Sequence, residues 1–414
     1  MASVSAIFVY PVKACQGVPL QSATLTREGT LLHDRIFCIV DLNGDRYPAK
    51  KSLSMRELPG LASIKVALND DSTGIILSTD DGGGGNNDES SGFPITISLK
   101  DKGVSDLSIE CSGASTTSAG SWHLGHLQSR VMSASVTTWL SDHLNRATVD
   151  NQKKNKPRAT YVLVRATATR SMSRYAGPTQ APYSASVSAQ SSGSASPFRM
   201  HNVPVKPCDK LKFADMAGLN IASLDSFEDL KGKIRALRGV NEEELSEFSI
   251  RSFRPNIVVA GGGPWSEEKW TRFLVRSVNS DRSVSYSSRS VNSSTAMRLL
   301  KGCPRCSVPA RSWSSGAFQF GPPRRLRFQD ALRKAFPEKL VDDEWGVEWQ
   351  GTMFGIHVGV DWEGEGGAGV VLNVGDEVSV VERKGGYRRL WIFLFVLAGA
   401  VVAAAVAVLR SVAN

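Results

Sequence analysis

The chain has 414 residues, with 49 Lys plus Arg against 40 Asp plus Glu, six Cys and six His. This length allows two or three domains with buried cores, and a composition of 41% hydrophobic and 21% charged residues excludes a largely disordered chain. Six cysteines are too few for a disulfide scaffold and favour a reducing compartment. The net charge of +9 is scattered and lacks interleaved aromatic residues, so no nucleic-acid partner is expected.

In the first half of the chain, two apolar runs predict strands, Ala6–Tyr10 and Ile36–Val40. The second run leads into residues 41–45 (DLNGD), a sequence typical of a hairpin turn. Residues 132–145 place their apolar side chains on one face of a predicted helix. A short strand is predicted at Tyr161–Val164.

In the second half, Asp225 is followed three residues later by Glu228, a spacing that predicts the start of a helix. Its core-facing stripe has spacings of 3, 4 and 3 and consists of Phe227, Leu230, Ile234 and Leu237. A β-branched strand is predicted at Ile257–Ala260, and a final pair of strands flanks residues 373–378.

Three polar stretches interrupt this pattern and predict loops: residues 80–93, 184–196 and 277–294. Strands outnumber helices and do not alternate regularly with them. The predicted fold class is therefore α+β and β-rich, with a β-barrel core rather than a doubly wound sheet.

The two ends of the chain differ. The start shows no signal or transit peptide, whereas every residue from Leu390 to Leu409 is uncharged and nearly all are apolar. A helix of this length spans about 30 Å, the thickness of the hydrocarbon core of a bilayer. The pattern predicts a transmembrane tail anchor over 387–410, with the bulk of the protein in the cytosol; the alternative is a buried core helix.

The most reactive-looking tetrapeptide is CPRC, which contains Cys303, Arg305 and Cys306. It could be half of a zinc site, a redox pair or the source of one thiolate for a cofactor-held metal. A buried structural cysteine is a fourth interpretation. The sequence offers no second CxxC and no HxxxH, and Pro309 argues against the helix that follows a thioredoxin-type pair.

Four further polar residues lie beside predicted strands. Arg254 and Asn256 flank a proline at the entrance to one strand, Lys13 follows the first strand, and Arg35 precedes the second. An arginine fork beside an amide suits a phosphate or a polar heterocycle.

Taken together and in this order, these motifs resemble MOSC-domain proteins, and among them the mitochondrial amidoxime-reducing component type. The matching segments are YPVKACQGV (10–18), GTLLHDRIFCIVDLNG (29–44), FADMAGLNIASLDSFEDL (213–230), FRPNIVV followed by Trp270 (253–270), CPRC (303–306), FGIHV (354–358) and VGDEVSVV (374–381).

The resemblance implies an N-terminal MOSC-type β-barrel domain joined to a MOSC β-barrel domain, with the transmembrane helix after them. The implied domains are residues 1–150 for the first barrel, 151–205 for a flexible Ser-rich linker, 206–384 for the MOSC domain with the insertion 277–294, and 387–410 for the tail anchor.

The resemblance also implies a molybdenum cofactor, whose metal takes one protein ligand, the thiolate of Cys306. The residues implied to hold the phosphate and the pterin are Lys13, Arg35, Ser223, Arg254, Asn256 and Arg305. A soft thiolate suits molybdenum already bound by sulfur, and a buried phosphomonoester needs cationic partners.

The activity implied by the resemblance is reduction of N-hydroxylated substrates such as amidoximes or hydroxylamines. Electrons would come from cytochrome b5 and its NADH-dependent reductase. Two alternatives stay open: a cofactor carrier related to the molybdenum cofactor sulfurases, and a catalytically inactive scaffold anchored in a membrane. Pyridoxal phosphate is not expected, because the chain has no room for the separate domain that binds it in sulfurases.

Two positions depart from the family pattern. Ala14 replaces a serine that follows the first-strand lysine, and Ser312 replaces an aspartate that follows the ligand cysteine. The predicted anchor lies at the opposite end from that of the animal proteins, so either the mitochondrial outer membrane or the endoplasmic reticulum is expected.

Overall fold

The computed structural model describes residues 1–43, 51–80, 93–114, 121–149, 158–171, 206, 208–236, 242–278, 294–306, 308–317, 353–362 and 369–383. The strands in these ranges are β1 (Ala2–Val9), β2 (Val18–Leu20), β3 (Ser22–Thr24), β4 (Phe37–Asp41), β5 (Lys65–Leu68), β6 (Gly74–Ser78), β7 (Ile95–Ser98), β8 (Ser105–Ala114), β9 (Ser121–Val131), β10 (Tyr161–Ala166), β11 (Arg170–Ser171), β12 (Lys210–Leu211), β13 (Leu219–Ser223), β14 (Ile257–Ala260), β15 (Trp270–Arg276), β16 (Ser294–Pro304), β17 (Met353–Asp361), β18 (Val371–Asn373) and β19 (Glu377–Arg383). The α-helices are α1 (Ala134–Val149), α2 (Leu224–Arg235) and α3 (Glu242–Glu247).

Seven strands close into a barrel. Their order is β14-β13-β17-β16-β15-β19-β1, and β1 pairs back onto β14 to complete the ring. All neighbouring pairs are antiparallel except β13 and β14, which are parallel. Apolar side chains fill the interior, among them Trp270 and Phe273, each about 1% exposed. Full burial of a large apolar side chain contributes about 2–3 kcal/mol, so this interior is a main source of stability.

Seven other strands of the first 171 residues form two smaller open sheets, whereas β2 pairs with β1, β3 with β18 and β11 with β12. One has four strands in the order β4-β10-β9-β8, and the other has three in the order β5-β6-β7. Helix α1 packs on this part of the molecule through Val136, Leu140 and Leu144, which share a core with the strands and with Met132, two residues before the helix. The predicted strand at Tyr161–Val164 is therefore confirmed, as is the helix predicted over 132–145.

Helix α2 is positioned by its cap and its apolar stripe. The hydroxyl of Ser223 accepts the backbone N–H of Ser226, so Ser223 is the N-cap rather than the predicted Asp225. The carboxylate of Asp225 instead accepts the backbone N–H of Gly263 at 2.7 Å. The stripe is buried as predicted at Phe227, Leu230 and Ile234, while Leu237 lies outside the described residues.

The prediction of two barrels followed by a transmembrane helix is wrong, both in the number of barrels and in the helix. The described residues form a single closed barrel, because β1 from the start of the chain is the strand that pairs with both β14 and β19. The N-terminal residues are thereby divided between the barrel and the two open sheets. The β-rich character, with strands outnumbering helices, is confirmed among the described residues.

The prediction of a membrane anchor is also corrected, together with the membrane location that depended on it. Within the part of the chain that the structure describes, no helix combines the length and the apolar character that crossing a bilayer requires. The segment predicted as the anchor, 387–410, lies outside the described residues. Most of the three predicted loops lie outside them as well.

Candidate functional site

Positive charge that is partly or fully buried is concentrated where β1 ends and β14 begins. Four arginines, Arg35, Arg251, Arg254 and Arg305, form what we call the arginine cluster. Two of them have left-handed backbones, with φ of 49° at Arg35 and 53° at Arg254. This conformation costs a non-glycine residue about 1–2 kcal/mol, and such strain is typical of functional sites.

Arg35 links the loop before β4 to the barrel. Its Nη1 donates to Oδ1 of Asn256 at 3.2 Å and forms an ion pair with Asp34. Asp34 in turn accepts the backbone N–H of Tyr10 at 2.8 Å. Burial alone would lower the pKa of Arg35, but the Asp34 carboxylate outweighs it and raises that pKa. The structure thus brings two of the predicted site residues into direct contact.

Arg254 is a partly buried cation without a carboxylate partner among the described residues. Its Nη1 donates to the carbonyl of Cys15 at 2.7 Å, whereas its Nη2, which is buried, makes no hydrogen bond with the described residues. The guanidinium lies 4.3 Å from the centre of the Tyr10 ring. Burial lowers the pKa of Arg254, and the nearby charge of Arg35 lowers it further. Such a group is suited to binding an anion.

Arg305 has its guanidinium fixed by groups of the protein itself. It donates to the carbonyl of Phe253 at 2.7 Å, to that of Phe354 at 2.8 Å through Nε, and to Oδ1 of Asn220 at 3.3 Å. It thereby joins the end of the CPRC segment to the turn before Arg254 and to β17. The contact with a cofactor that was predicted for Arg305 stays a prediction.

A row of polar residues crosses the outer face of the barrel. Asn220 lies opposite His357, and His357 lies opposite Lys301, on three adjacent strands. The row extends to β14, because the backbone N–H of Asn220 donates to Oδ1 of Asn256 at 3.2 Å. The side chains lie outside because their neighbours along the strands fill the barrel core. All except Lys301 are less than 10% exposed.

Asn220, His357 and Tyr10 were missed as candidate site residues. The available signal was a polar side chain inside an otherwise apolar strand, at Asn220 in LNIAS and at His357 in FGIHV. Burial, followed by the charges of Lys301 and Arg305, lowers the pKa of His357 well below its ordinary value. Burial also lowers the pKa of Lys301, to about 7, despite the opposing effect of Cys303.

The two cysteines of CPRC have different surroundings. Cys303 is 5% exposed, and burial raises the pKa of its thiol. Cys306 is only partly buried, and its sulfur accepts the backbone N–H of Val308 at 3.5 Å. The two are not joined in a disulfide. No group of three metal-ligating side chains occurs within the described ranges, so zinc ligands to complete a half-site are not found there.

Lys13 is held away from solvent by a carboxylate and a hydroxyl. Its Nζ lies 2.6 Å from Oδ1 of Asp215 and 3.1 Å from Oγ of Ser52. The side chain of Asp215 is 50% exposed; its partial burial would raise its pKa, but the charge and hydrogen bond of Lys13 outweigh this effect and lower that pKa. The charge of Asp215 also contributes to raising the pKa of Arg35. Asp215 is therefore the link between Lys13 and the arginine cluster. No hydrogen bond among the described residues connects the side chain of Ser223 with the arginines; its hydroxyl caps α2.

The two departures from the family pattern have defined surroundings. Ala14 is buried and has a left-handed backbone, with φ of 70°. The hydroxyl of Ser312 accepts the backbone N–H groups of Ser314 at 3.3 Å and Ser315 at 3.2 Å. An aspartate could accept the same two N–H groups, so Ser312 supports the local turn without contributing a charge.

Comparison with protein families matches residues 1–147 to the MOSC N-terminal beta barrel domain and residues 209–379 to the MOSC domain. A molybdenum cofactor sulfurase from Oryza sativa subsp. japonica is 23% identical over 273 residues, which are 65% of this chain and 25% of that relative. The chain thus spans about a quarter of the length of the relative it matches. Arg35 lies in the first matched range, and the other three arginines of the cluster lie in the second.

Proposed function

Because the chain contains a MOSC N-terminal beta barrel domain and a MOSC domain, we propose that it binds a molybdenum cofactor and acts as an oxidoreductase. The observation that carries this proposal is the arginine cluster with the partly buried Cys306 directly after Arg305. The site holds four guanidiniums, three of them partly buried and that of Arg305 buried, and Asp34 is the carboxylate paired with one of them. Positive charge is therefore in excess there. The phosphate of a molybdopterin would supply the missing negative charge.

The residues present fit the donors that such a cofactor needs. Arg254 has an unpartnered Nη2 for a phosphate oxygen, and Arg35 and Asn256 present a joined guanidinium and amide beside it. The sulfur of Cys306 is the soft ligand that molybdenum would take from the protein. Its hydrogen bond from the Val308 backbone favours one orientation of the thiolate. When bound, the cofactor supplies two-electron redox chemistry at the metal.

Within this class, we propose reduction of N-hydroxylated compounds as the reaction, with cytochrome b5 and its NADH-dependent reductase as the electron source. Conversion of an N–OH group to N–H consumes two electrons and two protons and releases water. The resemblance of YPVK, FRPN and CPRC to the amidoxime-reducing component type supports this choice. In this reaction the arginines orient the cofactor, while Arg305 fixes the backbone on either side of it through Phe253 and Phe354.

A second candidate is a carrier of the cofactor, and the similarity to the rice molybdenum cofactor sulfurase favours it. The match covers only a quarter of that protein, so the similarity does not show that this chain has the activity of the sulfurase. A carrier would bind the cofactor through the same cations and would release it rather than turn over a substrate.

The test is metal and pterin analysis of the full chain produced in cells that make the cofactor. We expect close to one molybdenum and one pterin per chain, and turnover of an amidoxime with reduced cytochrome b5. Molybdenum without turnover would favour the carrier. A folded chain that contains no molybdenum would contradict both candidates.

The matched variants are Cys306→Ser and Cys303→Ser. We expect Cys306→Ser to lose molybdenum-dependent turnover, because the metal loses its protein ligand. Cys303→Ser should keep most of it, because the buried Cys303 has a raised pKa and little thiolate character. Equal loss in both variants would instead favour a site that uses the two cysteines together.

A further inference from the structure

Tyr10 lies at the centre of the arginine cluster. Its ring is buried, with the guanidinium of Arg254 at 4.3 Å and that of Arg35 at 5.0 Å from its centre. Both distances are within the range of cation–π attraction. Arg251 and Arg305 also act electrostatically on its phenol group. Two of the four guanidiniums, those of Arg254 and Arg35, therefore lie against this ring.

The backbone of Tyr10 fixes the same neighbours. Its N–H donates to Asp34 at 2.8 Å, and its carbonyl accepts the N–H of Arg35 at 2.7 Å. The segment around Gly17 closes over the ring, since a Cβ added there would lie 2.4 Å from Cε1 of Tyr10. The ring therefore has little freedom to move, and it sets where the two arginines lie.

Unlike the ring, the hydroxyl of Tyr10 lacks a polar partner among the described residues. It is buried and makes no hydrogen bond with the described residues, and the same is true of Nη2 of Arg254 and Oγ of Ser252. Burial raises the pKa of Tyr10 in spite of the surrounding cations, so the hydroxyl keeps its proton. Each of these three groups can donate a hydrogen bond, and that of Arg254 also carries positive charge, so all three are suited to contacting an anion.

We propose that Tyr10 is a positioning residue, whose ring holds Arg35 and Arg254 together and whose hydroxyl donates to the bound anion, a phosphomonoester. The assignment of the anion rests on the proposed function, whereas the role of the ring does not. The ring offsets the repulsion between two guanidiniums by presenting its electron-rich face to them. The hydroxyl adds a donor that carries no further charge.

The test uses the full chain purified without cofactor and measures how tightly it binds inorganic phosphate. The apparent Kd is obtained from the rise of the protein's unfolding midpoint with phosphate concentration. Tyr10→Phe keeps the ring and removes the donor, so its apparent Kd should rise about tenfold, the loss expected for one hydrogen bond to a charged group. Tyr10→Leu removes both, and its Kd should rise at least about a hundredfold.

Tyr161→Phe is the matched control, because Tyr161 is similarly buried but lies on β10, outside the cluster. Its Kd should equal that of the wild type. Unfolding midpoints without phosphate separate effects on folding from effects on binding. A purely structural role of Tyr10 would not give Tyr10→Phe a Kd that lies between those of the wild type and Tyr10→Leu.

Wild-type affinity in Tyr10→Phe would overturn the role of the hydroxyl, and equal affinities in Tyr10→Phe and Tyr10→Leu would overturn that of the ring. A wild-type chain that does not bind phosphate would overturn both. If phosphate binds and the variants behave as expected, but the chain never acquires molybdenum, the proposed function fails and the role of Tyr10 stands.

Discussion

Arg254 and Arg305 lie in the same site, yet their guanidiniums have different surroundings. Arg305 donates to two backbone carbonyls and one amide oxygen, so its charge is surrounded by acceptors. Arg254 has one carbonyl acceptor and an aromatic ring. A desolvated cation without a carboxylate partner lowers the stability of the unliganded protein, and an anion that binds to the cation restores that stability. Arg305 therefore stabilises the fold, and Arg254 is available to a ligand.

This difference predicts that the same substitution affects stability at Arg305 and phosphate binding at Arg254. Arg305→Gln leaves several buried acceptors unsatisfied and should lower the free energy of unfolding by about 3 kcal/mol or more. Arg254→Gln relieves a desolvated charge and should stay within about 1 kcal/mol of the wild type, while phosphate binding is lost. Urea unfolding of the two variants, with and without phosphate, measures both effects. Equal destabilisation by the two substitutions would contradict the distinction.

At the scale of elements, a network of ion pairs joins β16 and β17 to the segment that leads into β12. Nη1 of Arg298 donates to the carboxylate of Asp361 at 2.6 Å, and its Nη2 pairs with Asp209. Nζ of Lys206 lies 2.6 Å from Oδ1 of Asp361, the oxygen that also accepts from Arg298. Gly359 allows this packing, because a Cβ there would lie 2.7 Å from the guanidinium of Arg298.

The network predicts a component of stability that depends on pH. Burial would raise the pKa of Asp361, but the hydrogen bond from Lys206 and the charge of Arg298 outweigh it, so that pKa lies below its unfolded value of about 3.9. The stabilisation is therefore present above pH 4 and is lost as the pH falls through the folded pKa. Urea unfolding between pH 3 and pH 6 should show the gap between wild type and Asp361→Asn closing as the pH falls.

The control for this experiment is Asp70→Asn, which makes the same chemical change at an exposed turn position. Its difference from the wild type should be small throughout the pH range. A gap for Asp361→Asn that stays constant from pH 6 to pH 3 would show that the carboxylate does not titrate within the network.

The elements that the sequence predicted correctly have strong local signals. The β-branched run Ile257–Ala260 is a strand with the predicted bounds, and the apolar stripe of α2 is buried. The cap of α2 was assigned to the wrong residue because Asp225 binds a distant backbone N–H at Gly263. The polar row was missed because it depends on the register between β13, β17 and β16, which local patterns do not contain.

At the scale of the whole molecule, the barrel depends on strands from both ends of the described chain. β1 starts at residue 2 and pairs with β2, and its other two neighbours, β14 and β19, start at residues 257 and 377. This pairing could not be read from the sequence, because nothing in the run Ala6–Tyr10 specifies a partner so far along the chain. It also places Tyr10 and Asn256 at the same end of the β1–β14 pair. Closing the barrel therefore also assembles the site.

The pairing predicts that residues 206–384 do not fold alone, although they include all of the matched MOSC range. Without β1, the edges of β14 and β19 are unpaired and the core loses Ile7, which is 1% exposed. We expect this fragment to lose most of the roughly 5–15 kcal/mol of a typical domain and to lack a cooperative thermal transition. A peptide of residues 1–25 should restore the transition, whereas the same peptide carrying Ile7→Asp should not. A cooperative transition of the fragment alone, monitored by near-UV circular dichroism, would show that the barrel closes without its first strand.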